Sequence, residues 1–238
     1  MTDPATLAAL RDGELEVLGR LPGSSNQALV VLVHHPDLEE PFHAVYKAAL
    51  AERPLFDFPI GTLARREVAA FLVSEATSWG IVPPTVLREG PYGVGMVQQW
   101  IHADPSVDLV ALVVEDDPRL RRMAVFDAIV NNTDRKGGHL LPMPDGHIFG
   151  VDHGVTFSTE PKLRTVLWGW VGIPFDDEEV TGLERVRDAL RGALATALRE
   201  LLAPAELTAT KRRVATLLRF RSFPRPNPSW PSIPWPPF

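Results

Sequence analysis

Asn131-Asn132-Thr133-Asp134-Arg135-Lys136-Gly137-Gly138-His139 and, further on, Val151-Asp152-His153-Gly154 are the stretches on which the reading of this chain turns. Each aspartate stands just beyond an apolar run, residues 123–130 before Asp134 and 147–151 before Asp152. In a turn, Asn and Asp ordinarily do no more than satisfy nearby backbone groups. Two carboxylates at the ends of two apolar elements have another use. One can orient an attacking hydroxyl while the other holds a metal ion on nucleotide phosphates, which is the division of labour in phosphoryl transfer.

Working outward, Asp117 can cap a helix over residues 118–130, because proline is well tolerated in a first helical turn. A turn over 142–146 and a short strand over 147–151 then deliver Asp152 at a strand end, where a hard oxygen ligand suits Mg2+. Gly154 would let the chain turn sharply there. His139, His147 and His153 beside Asp152 permit a rival reading as a transition-metal hydrolase, although their spacing matches no standard metal motif. Serine-hydrolase chemistry lacks its Gly-x-Ser-x-Gly elbow.

The first hundred residues read as strands with one helix among them. Strands are predicted over 14–21 and 28–34, joined by the turn formers Pro22-Gly23-Ser24-Ser25-Asn26, then over 42–48, 85–88 and 93–100. In 42–48, Ala44, Tyr46 and Ala48 alternate with His43, Val45 and Lys47. A helix is predicted over 63–79, capped by Gly61-Thr62 and stopped by Gly80. Lys47 either snorkels at a sheet edge or reaches nucleotide phosphates, and the second use demands an acidic partner. Glu67, four residues from both Leu63 and Phe71, is the candidate partner; the plain alternative is a surface glutamate beside Arg65 and Arg66. Backbone groups of Ser24, Ser25 and Asn26 can close over phosphates or simply make a hairpin turn. Gln98, Gln99 and Trp100 stand where strands give way to helices, so they either meet an adenine edge or form a plain strand.

Beyond residue 101 the pattern is helical, with helices expected over 178–202 and 204–220. From residue 222 the prolines, with Trp230 and Trp235, preclude regular helix and predict an extended segment strapped over the body. Trp168 and Trp170 can line an acceptor groove or fill a core. The expected organisation is a β-rich lobe over residues 1–101, a helical lobe over 102–221 and a Pro/Trp-rich tail over 222–238.

A formal charge of −6 argues against nucleic acid as a partner, which calls for a basic stripe. The absence of cysteine excludes disulfides and thiolate metal sites and fits a reducing compartment. No signal peptide and no membrane-spanning run is visible, so the expected location is the cytoplasm, without integral membrane association.

Val125-Phe126-Asp127-Ala128-Ile129-Val130-Asn131-Asn132-Thr133-Asp134-Arg135 and Ile148-Phe149-Gly150-Val151-Asp152-His153-Gly154 resemble the catalytic-loop and metal-binding segments of the phosphatidylinositol 3-/4-kinase-like branch of the protein-kinase-like fold. More narrowly, they are similar to small actinobacterial lipid-kinase-like proteins. The resemblance implies an α+β, two-lobed fold that binds ATP with Mg2+ or Mn2+. It makes Asp134 the catalytic aspartate, Asp152 the metal ligand, Lys47 the phosphate-contacting lysine and Glu67 its partner. The acceptor, a protein or small molecule, is not encoded. The branch usually has asparagine as second metal ligand five residues after the catalytic aspartate, where this chain has His139, and histidine where it has Lys136. Imidazole is tolerated by Mn2+ better than by Mg2+. Either His139 joins the metal set, Asn132 substitutes for it, or the chain is a nucleotide-binding pseudokinase serving as an interaction module.

Overall fold

The computed structural model describes residues 3–22 and 27–238. Helix α1 (Pro4–Asp12) opens it, capped by the Asp3 carboxylate on the Ala5 and Thr6 N–H groups. Five strands follow: β1 (Glu14–Arg20), β2 (Leu29–His34), β3 (Phe42–Ala48), β4 (Thr85–Gly90) and β5 (Gly93–Gln99). They form one antiparallel sheet in the order β1-β2-β3-β5-β4. The expected alternation in β3 holds. Ala44, Tyr46 and Ala48 are buried with Ala9 and Leu10 of α1 on one face, which leaves Val45 and Lys47 on the other.

That second face receives helix α2 (Leu63–Thr77), inserted between β3 and β4, whose Ala64 and Val68 pack on Met96 of β5. Thr62 holds the N-cap position, as expected, but its side chain does not make the capping bond. Thr62 donates its hydroxyl to the Pro59 carbonyl, and the Ala64 N–H is instead taken by the Glu52 carboxylate at 2.8 Å. The helix ends two residues sooner than expected, at Thr77, with Ser78 as its cap at φ +62°.

The rest is mainly helical: α3 (Leu109–Val114), α4 (Arg121–Val130), α5 (Asp177–Ala189), α6 (Ala193–Arg199) and α7 (Pro204–Phe220), with a hairpin of β6 (Leu140–Pro142) and β7 (Ile148–Gly150) after α4. The single helix expected over 178–202 is two, broken at residues 190–192 around Gly192. The short helices α1 and α3 are absent from the sequence expectation. One large core joins α4 to α7 and takes in Ala69, Ala70, Phe71 and Val73 of α2. Among the described residues no helix is long and apolar enough to cross a membrane.

The tail runs extended over this helical body, as its prolines require. Ser232 accepts the Thr165 N–H at 3.0 Å and the Trp168 indole N–H at 2.9 Å. Trp170 packs on Phe223 and is buried in the core, the second of the two uses expected for it. Pro237 accepts the Gly137 N–H at 2.8 Å. A Cβ built on Gly137 would stand 2.1 Å from the Phe238 ring, so only glycine admits that ring.

Candidate active site

Lys47 is the centre of the site. Its ammonium lies 2.7 Å from Glu67 Oε1 and 2.8 Å from Asp152 Oδ1, so it bridges the sheet, α2 and the segment after β7. Burial alone would favour a neutral amine, but the charges of Asp152 and then Glu67 outweigh it and hold Lys47 above the ordinary lysine value. Glu67 is buried, and its other oxygen accepts the His153 N–H at 2.8 Å. One carboxylate therefore fixes both the lysine and the Asp-His-Gly segment.

Glu67 is itself held in place by its neighbour. Arg66, 1% exposed, donates to the Thr156 carbonyl at 2.7 Å and to Glu206 of α7 at 2.5 Å, with its guanidinium over the Phe58 ring. Sequence reasoning gave Arg66 no role beyond standing next to Glu67. A basic residue on the apolar face of α2 was the available sign, but its acidic partner lies on the far helix α7.

Asp152 has φ +60°, a left-handed conformation that costs a non-glycine residue energy and is less costly for Asp than for most. The sharp turn expected at Gly154 is thus at Asp152. Gly154 serves close approach instead, since a Cβ there would lie 3.3 Å from that of Leu63. Lys47 first, and His139 after the cost of burial, hold the Asp152 carboxyl well below the usual carboxylate range. His139 Nε2 is 3.5 Å from Asp152 Oδ2. Burial pushes the His139 imidazole down to about 4, so it is neutral at pH 7.

Asp134 is presented by a loop that is locked from behind. Asn131 ends α4 at φ +53° and donates its amide to Ser158 and Glu160 carbonyls. Asn132 donates to Asp127 at 3.0 Å and accepts the Asp134 N–H at 3.0 Å. Its side chain is wholly buried and does not line the cleft. Arg135 turns inward to Asp127, to the Val151 carbonyl at 2.9 Å and to His153 Nε2 at 2.5 Å, while Asp134 is left facing the cleft. Asp127 was missed in the sequence, although a lone carboxylate within the apolar run of α4 needs a buried cation. Burial raises the Asp134 carboxyl, opposed by Lys136 at 3.2 Å.

Lys47, Gln98, Gln99, Trp100, Asp134, His139 and Asp152 all line one cleft of about 480 Å3. Glu67 stands behind Lys47. The Gln98 amide is committed to Thr85 at 2.8 Å, and the N–H groups of Gln99 and Trp100 to the Pro84 and His43 carbonyls. Ile101, which also lines the cleft, has no main-chain hydrogen bond among the described residues. Ser24, Ser25 and Asn26 lie outside the described residues. The three histidines do not converge: His147 meets the Gly80 carbonyl at 2.9 Å, and His153 is buried against Phe126. The rival histidine metal site is therefore set aside.

The donor chemistry at Asp152 fits a divalent ion. Its Oδ2 has only a neutral imidazole beside it; His139 Nδ1 accepts the Lys136 N–H at 3.4 Å, so the pair offers an oxygen donor and, once the ring proton moves to Nδ1, a nitrogen donor. Among the described residues no group of three or more such side chains could hold an ion alone, so phosphate oxygens would have to complete the set.

No family model matches the chain. It is 45% identical over 266 aligned residues to protein Rv2133c of Mycobacterium tuberculosis (strain ATCC 25618 / H37Rv), covering 97% of this chain and 95% of that one. Phosphatidylinositol 4-kinase gamma 6 of Arabidopsis thaliana is 27% identical over 168 residues, 54% of this chain and 27% of the plant protein. Among solved structures, the Helicobacter pylori proinflammatory kinase CtkA superposes with a TM-score of 0.55 at 10% identity, covering 90% of this chain and 94% of that one. The fold is thus α+β, two-lobed and kinase-like, with a β-rich first lobe and a mainly helical second.

Proposed function

The chain belongs to the family of protein Rv2133c, and on that premise we propose that it is an ATP-dependent phosphotransferase of the phosphatidylinositol 3-/4-kinase-like type. The observation that carries this reading is the Lys47–Glu67 and Lys47–Asp152 pairing in a cleft that Asp134 also lines. ATP lies between the lobes, with its adenine edge toward the backbone around Ile101. Lys47, charged and fixed by Glu67, contacts the phosphates and offsets their charge. Asp134 orients the hydroxyl of the acceptor and takes its proton as the γ-phosphoryl group moves to that oxygen and ADP leaves. Asp152, with His139 beside it, would hold a divalent ion that supplies further neutralisation of phosphate charge; the imidazole favours Mn2+ over Mg2+. Raising the Asp134 carboxyl by burial makes it a better base than a solvated aspartate. The lobes meet near residue 101, and residues 222–238 form a strap on the second lobe.

A second reading, a nucleotide-binding pseudokinase, rests on His139 and Lys136 standing where the branch usually has asparagine and histidine. A thermal-shift titration with ATP and Mg2+ or Mn2+ tests nucleotide binding, because a ligand that binds the native state raises the melting temperature. Phosphotransferase activity requires that Asp134→Asn abolish ATP turnover while keeping that stabilisation. No turnover in the parent protein with either metal favours the pseudokinase, and no ATP stabilisation at all sinks both readings.

A further inference from the structure

A separate cavity of about 410 Å3 opens between α7, residues 159–163 and the start of the tail. Arg212, Arg213 and Arg225 line it. Arg213 donates to the Ile129 carbonyl at 2.9 Å, the Ser158 carbonyl at 3.0 Å and the Thr210 hydroxyl at 2.8 Å, all neutral acceptors. Burial, and then the neighbouring charge of Arg212, pushes its guanidinium down to about 10. Among the described residues, none of the three arginines pairs with a carboxylate within 4 Å, whereas Arg66, Arg121 and Arg135 each do.

In a chain of net charge −6, three guanidiniums lining one hollow with no carboxylate within 4 Å need an explanation, although the more distant Glu206 charge partly supports Arg213. Arg213 is the one withdrawn from water, which is costly without a counter-ion, while Arg212 and Arg225 are exposed beside it; an entering anion relieves that cost. The guanidinium fork matches phosphate oxygens in a bidentate way that a point charge does not. Three such groups suit a dianion. Much of the remaining lining is apolar, with Leu163, Leu217 and Pro224 among it, so the phosphate must be attached to something that can cover those side chains.

We propose that this cavity binds a phosphate monoester with an apolar body, the phosphate held by Arg212, Arg213 and Arg225. The same group has two sources. One is a soluble ester. The other is Thr159, an exposed residue of the lining, once phosphorylated. In that case the terminal phosphoryl group of a nucleoside triphosphate moves to Thr159 Oγ1; the Oγ1–P bond forms, the bridging P–O bond breaks, the diphosphate leaves and the hydroxyl proton passes to solvent. The soluble source does not depend on how the cleft is read.

The test is calorimetric titration of the full chain with phenyl phosphate, after peptide mass spectrometry of Thr159. With Thr159 unmodified, binding is expected, tighter than for inorganic phosphate. It should weaken about tenfold or more in Arg212→Ala/Arg225→Ala, since each charge-assisted contact is strong. Both positions are exposed, so an unchanged melting temperature will show that the variant folds. Binding should persist in Lys47→Met, which separates this cavity from the cleft. Equal affinity in the arginine variant and the parent, or no binding at all, overturns the proposal. If Thr159 carries phosphate, binding should be absent in the parent and appear in Thr159→Val; absence in both overturns it. ATP stabilisation, read on the same samples, reports the cleft independently.

Discussion

Two charge clusters in this molecule are built to opposite ends. Asp127 and Arg135 are wholly buried; the carboxylate also accepts from Asn132 and Thr165, and the guanidinium is used up on Asp127, Val151 and His153. Lys47, Glu67 and Asp152 form the second cluster, and there the Asp152 side chain is 44% exposed with one oxygen facing only a neutral imidazole. Saturated hydrogen bonding fixes a loop. Unsaturated acceptors at a cleft wall leave room for a ligand. Ion pairing alone therefore does not mark a functional residue here; leftover bonding capacity does.

The sharpest way to break that contrast is Asp127→Ala. It strands the Arg135 charge in the interior and should cost about 3–5 kcal/mol in urea unfolding; a loss below about 1 kcal/mol would mean the pair is not sealed. Lys47→Met should lower ATP turnover about 10²–10³-fold, as removal of one preorganised electrostatic donor does. It also strands the buried Glu67 carboxylate, so its unfolding free energy should fall as well, by less than for Asp127→Ala because Glu67 keeps the His153 N–H. Glu206→Gln tests the tie behind Glu67. Arg66 loses its charged acceptor, with an expected loss of about 1.5–3 kcal/mol and a fall in turnover though the residue is far from any substrate. Gly137→Ala drives a methyl into the Phe238 ring, overpacking worth about 1–3 kcal/mol, and limited proteolysis should then cut within residues 230–238. The smallest effect is expected from His139→Asn. It should shift ATP-dependent thermal stabilisation from Mn2+ toward Mg2+, and no change in metal preference would remove His139 from the ligand set.

Much of this was legible before any coordinates. The strands of the sheet were, because one buried face imposes alternation, as Ala44, Tyr46 and Ala48 show. Lys47, Gln98, Gln99, Trp100, Asp134, His139 and Asp152 line one cleft with Glu67 behind Lys47, while Ser24, Ser25 and Asn26 lie outside the described residues; strand and helix periods assign the faces of Lys47 and Glu67 without reference to distant chain. What stayed hidden depends on partners far away. Arg66 next to Arg65 looks like a solvated base until Glu206 is brought to it. Prolines predict an extended tail but not that Pro237 will meet Gly137. The break near residue 190 lacks a proline, with Gly192 as its sole punctuation. Helix α1 is a different failure: Asp3 and Pro4 are an ordinary cap and first-turn pair that went unread.

Helix α2 is drawn with the sheet in chain order, yet Ala69, Ala70, Phe71 and Val73 lie in the large helical core and Arg66 bolts it to α7. Mechanically it belongs to the lower half. Any breathing of the cleft must then slide the strands over α2, where Ala64, Val68 and Met96, with the partly buried Val45, Ala49 and Leu87 packed against them, form a small apolar seam. The first bond such a motion stretches is Lys47 to Glu67, which makes that 2.7 Å contact a gauge of how far the jaws stand apart.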